Sequence, residues 1–174
     1  VPLTKEDEGK TKYLVIVTKS GKIKKTALED FKNVRKSGII AIKLQKGDLL
    51  VKSVKTTGNE EIILTTKRGI AIRFKEKDIR PMGRTAAGVK GIGLKKGDEV
   101  ISMDIIRPND ATGKDLKAKQ YLLAVMENGY GKKTDVSQYR LQGRGGSGIK
   151  TAQITPKTGE LIFAKVLSQE EEDL

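Results

Sequence analysis

Lys25, Arg73 and Lys133 occupy one equivalent position in three alignable segments of the chain, and the cations around them recur as well. Lys32, Arg80 and Arg140 are equivalent if a two-residue deletion in the first copy lies after Lys32. Arg84 then matches Arg144, with Arg35 and Lys36 nearby in the shorter first loop. Lys24, Lys90, Lys132 and Lys150 complete the basic set on the repeated strands and turns. Ammonium and guanidinium groups repeated in this way suit the neutralisation of a row of phosphates. Duplex DNA carries one negative charge per about 1.7 Å of axis, so a curved row of evenly spaced cations matches a bent duplex, with sequence mattering through bendability. Direct base readout is not expected, because no recognition helix is evident and Asn and Gln are sparse in the basic loops. Aromatic residues make up only 4% of the chain, which argues against stacking on single strands. The plainer reading of the same cations is a basic rim that keeps the protein soluble.

Other chemistry is limited by what is missing. The chain has no cysteine and no histidine, which excludes disulfides, thiolate or imidazole metal sites, and Ser-His or Cys-His nucleophilic catalysis. Glu60, Glu61, Asp48 and Asp98 fall in turns or at strand starts without a converging third ligand, and read as solvated turn acids. Tyr13, Tyr121, Tyr130 and Tyr139 have no base placed to activate them. Tyr13 and Tyr121 begin equivalent strands and read as packing residues. Gly143, Gly145 and Gly148 satisfy G-x-G-x-x-G, but the segment after them reads as a strand ended by Pro156 rather than the helix a dinucleotide fold needs. Two readings of that loop stay open: a mobile loop whose amides and Arg144 approach a phosphate, or glycines that only allow tight turns.

The elements that carry these residues come from an internal repeat. Tyr13–Thr18, Glu61–Thr66 and Tyr121–Met126 are apolar runs of strand length, each followed by a glycine turn at Gly21, Gly69 or Gly129 and then by a shorter basic strand. Each pair reads as a β-hairpin. Gly38–Ile42, Gly88–Ile92 and Gly148–Ala152 follow as matching third strand starts. A further turn then leads into 49–54, 99–105 and 161–166, giving about four strands per unit. Helical periodicity is weak, and only Thr26–Phe31 passes for a helical turn. The expectation is an all-β, propeller-like array of about three four-stranded blades, with units at about 13–56, 61–106 and 121–168 and a linker at 107–120, all forming one domain over 1–174.

The totals agree with a soluble chain: 174 residues, 36% hydrophobic, 33% charged and a net charge of +13. That balance favours a polyanionic partner, nucleic acid first and an anionic membrane surface second. No apolar run is long enough to span a bilayer and no export signal is visible. Val1–Thr4 looks like an excised boundary. Acids cluster at Glu6–Glu8 and Glu170–Asp173, so the middle is more basic than the average.

Glu127–Thr134, Gly83–Gly91, Asp30–Gly38 and Tyr139–Gly148 together resemble the C-terminal domain of the A subunit of bacterial DNA gyrase, over about Tyr13 to Val166. The resemblance implies a β-pinwheel, a disc of about six blades in which neighbours exchange a strand and duplex DNA wraps a basic outer rim. In that family a Gln-Arg-Arg-Gly-Gly-Lys-Gly box in the first blade is required for wrapping. Here Gln142–Gly148 has Gly143 for the first Arg and Ser147 for Lys, and lies in a later unit, so the chain matches middle blades. The resemblance also implies a non-catalytic piece with no cofactor of its own. ATP, Mg²⁺ and the cleavage tyrosine would sit elsewhere in an A2B2 holoenzyme with the rest of the A subunit and the B subunit, which is cytoplasmic, nucleoid-associated and without a membrane partner. The alternatives are a topoisomerase IV A subunit, a basic propeller that binds acidic proteins, or an enzyme using carboxylates.

Overall fold

The computed structural model describes residues 12–32, 36–107 and 119–168. Arg35, both acidic clusters and most of the expected linker at 107–120 lie outside the described residues.

Each hairpin expected from the repeat forms. β1 (Tyr13–Thr18) pairs antiparallel with β2 (Lys22–Ala27), β4 (Glu61–Thr66) with β5 (Ile70–Lys75), and β8 (Gln120–Met126) with β9 (Gly131–Asp135). The β-branched and aliphatic residues of β1, β4 and β8 suit a central strand. On their other side run β3 (Leu50–Thr56), β7 (Val100–Ile106) and β11 (Leu161–Ser168). A short 3-10 turn follows each hairpin, at Leu28–Phe31, Glu76–Asp78 and Val136–Gln138. The first lies within the one segment that reads as helical in sequence; the other two carry no such signal.

The fourth strand of a blade comes from the next unit. β6 (Val89–Lys90) pairs with β2, placing Val89 opposite Ile23 and Lys90 opposite Lys22. β10 (Ile149–Lys150) pairs with β5 in the same way, with Ile149 opposite Ala71 and Lys150 opposite Ile70. The sheets are therefore β3-β1-β2-β6, β7-β4-β5-β10 and β11-β8-β9. Gly88 and Gly148 permit this exchange. Both have positive φ, and a Cβ there would lie 2.7 Å from the Ile23 carbonyl oxygen and 2.6 Å from that of Ala71.

Gly38–Ile42 departs from expectation, since it is not a strand. Its backbone still sits where its equivalents do: the Lys43 amide donates to the Ala86 carbonyl at 3.3 Å, as the Gly93 amide does to Gly146 at 2.7 Å. What it lacks is a neighbouring strand among the described residues, and an unpaired two-residue segment has no ladder to define it.

The core lies between the blades. Val15, Val17 and Ile23 of the first blade pack on Ile62, Leu64, Ile72 and Phe74 of the second. Ile63 and Ala71 of the second blade pack on Leu122, Ala124 and Met126 of the third. Alternate residues of β4 thus face opposite neighbours, as the two-residue strand period requires. Matching pins tie the junctions: Lys19 to Glu99 at 2.9 Å and Lys67 to Glu160 at 2.7 Å. The amides of Val100 and Leu161 donate to the carbonyls of Lys19 and Lys67, each at 2.9 Å.

Candidate nucleic-acid interface

The cations divide into an interior set and an exterior set, and the division does not follow the expectation. Lys24 is fully buried, its ammonium donating to the carbonyl oxygens of Ala41, at 2.8 Å, and Arg84. Burial first, and then the Arg84 guanidinium, hold its pKa below the ordinary lysine value. Lys25 is only 4% exposed and spans the first junction. It donates to the Glu76 carbonyl at 3.1 Å, pairs with the Glu76 carboxylate at 3.5 Å and stands over the Tyr13 ring at 4.9 Å. Arg73 spans the second junction. Its guanidinium binds Glu61 Oε2 at 2.5 and 2.6 Å and donates to the carbonyls of Val136 and Tyr139 at 3.0 and 3.2 Å. These three turn inward, most of their donors engaged by carbonyls or carboxylates: Lys24 and Lys25 are buried and Arg73 is part-buried, so they face DNA less openly than the recurrence predicts.

The cause is positional. Residues 25, 73 and 133 lie one step diagonally across the hairpin from residues 13, 61 and 121, on one face of the sheet. That face is turned to the next blade. Lys133 accordingly stands over the Tyr121 ring, at 4.6 Å, with its side chain exposed.

The first junction also holds a pair of carboxylates, Glu60, which the sequence reading takes for a solvated turn acid, and Glu76. Glu60 is 6% exposed and Glu76 is fully buried. Burial alone would raise the Glu60 carboxyl, but the hydrogen-bonding Glu76 side chain, then the Thr57 hydroxyl and the local backbone amides, outweigh it and hold its pKa low. Glu76 goes the other way. Burial raises its pKa and the neighbouring Glu60 adds to that, against the Thr56 hydroxyl at 2.7 Å and the Lys25 charge. Glu76 Oε2 has no hydrogen-bond partner, and a proton there would remove its buried charge and make it a donor toward its neighbour Glu60. The two acids of the pair are thus pushed in opposite directions, Glu60 toward its charged form and Glu76 toward its protonated one.

The exterior set remains. Lys32, Arg80 and Arg140 are exposed on three successive units, as are Lys36, Lys90 and Lys150. Lys32 makes an exposed pair with Glu29 at 3.0 Å, and the exposed Lys132 donates to the Thr151 carbonyl at 3.1 Å. Arg84 is half-buried, its guanidinium 3.4 Å from the Ile40 carbonyl. Lys12, Lys77 and Arg80 border an open groove of about 330 Å³ at the first junction, floored by Tyr13, Ile79 and Pro81. Lys12 and Lys77 are missing from the sequence-derived set, because neither recurs: the positions equivalent to Lys12 hold Glu60 and Gln120, and those equivalent to Lys77 hold Glu29 and Ser137.

The Gly-rich loop is tethered rather than open. The amide of Gly145 donates to the Gly91 carbonyl at 2.7 Å, the Gly146 carbonyl accepts from Gly93 at 2.7 Å, and the Gln142 amide donates to Arg73 at 2.9 Å. Arg144 is exposed but donates to the carbonyls of Asp78 and Lys90 at 2.9 and 3.2 Å. Among the described residues no group of acids, His or Cys is arranged to hold a metal, and no helix is long and apolar enough to cross a membrane.

Four-stranded antiparallel blades that lend a strand to the blade before them define a β-pinwheel of the propeller type. The family model described as DNA gyrase C-terminal domain, beta-propeller, matches residues 12–56, 60–107 and 120–168, and the chain belongs to that family. The DNA gyrase A subunit of Staphylococcus epidermidis is 44% identical over 168 residues, and that of Staphylococcus aureus 42%. Each match covers 97% of this chain, which spans 18% of the length of these relatives. A solved C-terminal domain of DNA topoisomerase IV superposes with a TM-score of 0.82 at 27% identity, over 96% of this chain and 49% of that one. A solved DNA gyrase A C-terminal domain gives 0.79 at 32% identity, over 94% and 52%.

Proposed function

We propose that this chain binds duplex DNA without sequence preference and bends or wraps it along an exposed basic rim, as a non-catalytic part of a gyrase A subunit. In that setting the rest of the A subunit and the B subunit supply strand cleavage, ATP hydrolysis with Mg²⁺ and negative supercoiling in an A2B2 assembly in the cytoplasm. The observation that supports this most directly is the column Lys32, Arg80 and Arg140, exposed on three successive units while the neighbouring column of Lys25 and Arg73 is taken up by blade junctions. A charge repeated at the interval of the blades meets a continuous backbone at regular steps. Lys12 and Lys77 widen the contact beside Arg80. Binding through phosphates predicts a steep salt dependence. Replacing Arg80 and Arg140 by Ala should weaken duplex binding about equally across sequences and lower the slope of log K against log salt by roughly 0.9 for each phosphate no longer neutralised. Affinity insensitive to salt would sink the proposal. A linking-number assay on relaxed plasmid separates wrapping from bending, since only wrapping leaves a topological change after strand closure. A topoisomerase IV A subunit is the second reading, supported by the fold likeness to that enzyme's C-terminal domain.

A further inference from the structure

The open cations are unevenly shared between the two formed junctions. At the first, the groove of about 330 Å³ is bordered by four cations and by no carboxylate. Lys12 and Lys25 come from the first blade, Lys77 and Arg80 from the second, and Asn59 from the turn that joins them. Lys25 is engaged by Glu76 and supplies field rather than free donors. Lys12, Lys77 and Arg80 are exposed, and their side chains have no partner among the described residues. The acids behind the groove, Glu60 and Glu76, are buried and bonded to the Thr57 and Thr56 hydroxyls, at 2.9 and 2.7 Å, and neither lines it.

The corresponding places at the second junction hold the opposite chemistry. Glu60 stands for Lys12, Glu61 for Tyr13, Arg73 for Lys25 and Ser137 for Lys77, and only Arg140 matches Arg80. Arg73 is held by Glu61 and two carbonyls, which leaves one open cation beside two acids. Like charges gathered around the first groove repel across the seam, and an anion between them offsets that repulsion. A phosphate suits the place. Lys and Arg reach its oxygens through charge-assisted bonds, and a groove of this volume has room for it with water around it. Because the groove is open, a phosphate still joined to a polymer can enter.

We propose that this groove seats one backbone phosphate of the bound duplex, and that the seated phosphate ties the first blade to the second, so that DNA binding stiffens the first junction more than the second. The choice of DNA as the source of the phosphate rests on the DNA-binding reading; the anion seat itself does not. Its donors belong to different blades, so parting the blades scatters them. A ligand that binds only the closed junction opposes its opening. The coupling is reciprocal, and a firm first junction presents the phosphate with a seat already assembled.

Each junction carries its own reporter. The Met82 amide donates to the Lys25 carbonyl across the first and the Gln142 amide to the Arg73 carbonyl across the second, each at 2.9 Å. Hydrogen exchange of these two amides, followed by NMR in the 174-residue chain, reads the opening of each seam. Protection grows as 1 + [L]/Kd. Inorganic phosphate at about 50 mM, on a seat with a Kd of about 10 mM, should therefore slow Met82 exchange about sixfold and leave Gln142 unchanged, with ionic strength matched by chloride. A short duplex should slow Met82 more than Gln142. Changing Lys12→Ala and Lys77→Ala together should abolish the phosphate effect and the excess at Met82 with duplex, while exchange without ligand stays near wild type because both side chains are exposed. Lys77→Arg should retain both effects. No slowing of Met82 by phosphate, equal slowing of both amides, or a Met82 effect that survives the double change would each overturn the proposal. Duplex binding is read separately by fluorescence anisotropy. A duplex that binds without favouring Met82 overturns the assignment of the seat to DNA, and one that does not bind sinks the DNA-binding reading and this source of phosphate with it, while inorganic phosphate still reports on the seat.

Discussion

The two formed junctions use one scaffold and different chemistry. In both, a cation from the second strand of a hairpin reaches carbonyls around the 3-10 turn of the next blade. At the first junction that cation is Lys25, and its counter-ion, Glu76, comes from the blade it grips. At the second it is Arg73, whose counter-ion Glu61 lies in its own blade, and the position equivalent to Glu76 holds the apolar Val136. Lysine is a point charge that needs an acid delivered to it. Arginine carries a fork of donors, so it satisfies a carboxylate and two carbonyls together. The cost of the lysine solution is a buried acid, and Glu60 beside it makes the first junction sensitive to pH. In place of that acid pair the second junction has Val136 and a neutral bond shared by the Tyr139 hydroxyl and Thr151 Oγ1.

Mutations can break this contrast. Arg73→Ala should cost the most, about 3 kcal/mol by urea unfolding, because it strands the Glu61 carboxylate and two carbonyls inside a junction. Lys25→Ala should cost about 2 kcal/mol at pH 8 and distinctly less at pH 4, below the ordinary 4.5 that the Glu76 pKa exceeds, where the acid holds its proton rather than remaining a buried uncompensated charge. Equal losses at both pH values would remove the distinction between the junctions.

The acid pair sets a sign for each arm of the pH profile. Glu76 has a folded pKa above the ordinary 4.5, so its stabilising contribution is complete below that value and is lost as pH rises through the raised one. Glu60 has a lowered pKa, so its contribution is present above 4.5 and is lost as pH falls through the lowered one. The first junction is thus firmest near the ordinary glutamate pKa. Glu76→Gln keeps an acceptor for the Thr56 hydroxyl and should abolish the alkaline loss alone, seen as the difference between wild-type and variant urea midpoints from pH 4 to 9. Tyr139→Phe should give the smallest effect, about 1 kcal/mol and independent of pH, by removing one buried hydroxyl bond from the second junction.

The hairpins are legible in the sequence because glycine turns at Gly21, Gly69 and Gly129 separate apolar runs of strand length, and that signal is local. The exchange of strands is legible only through family resemblance, since nothing in the composition of Val89–Lys90 says which blade receives it. Lys24, Lys25 and Arg73 escape a reading by recurrence, because a cation that recurs need not be exposed. A clue exists for one of them: the position of Lys24 holds Ile72 in the second unit, and an aliphatic residue in a repeated column points inward. For Lys25 and Arg73 the relevant partners, Glu76, Val136 and Tyr139, lie in another unit, and charge pairing across a junction has no signature in a single strand. Gly38–Ile42 carries the sequence of a strand, and only a partner would make it one.

The loan of β6 and β10 also governs the order in which the molecule can fold. The first sheet is incomplete until Lys90 has been synthesised, and the second until Lys150 has. A nascent chain therefore cannot finish one blade before most of the next has left the ribosome, and each completed sheet locks its successor in place. Pairings of this range slow folding, because the intervening loop must close before they form. Unlike repeats that meet only across their faces, these blades share backbone ladders. Their nearest-neighbour coupling should be strong enough for the described blades to unfold in a single transition rather than one at a time.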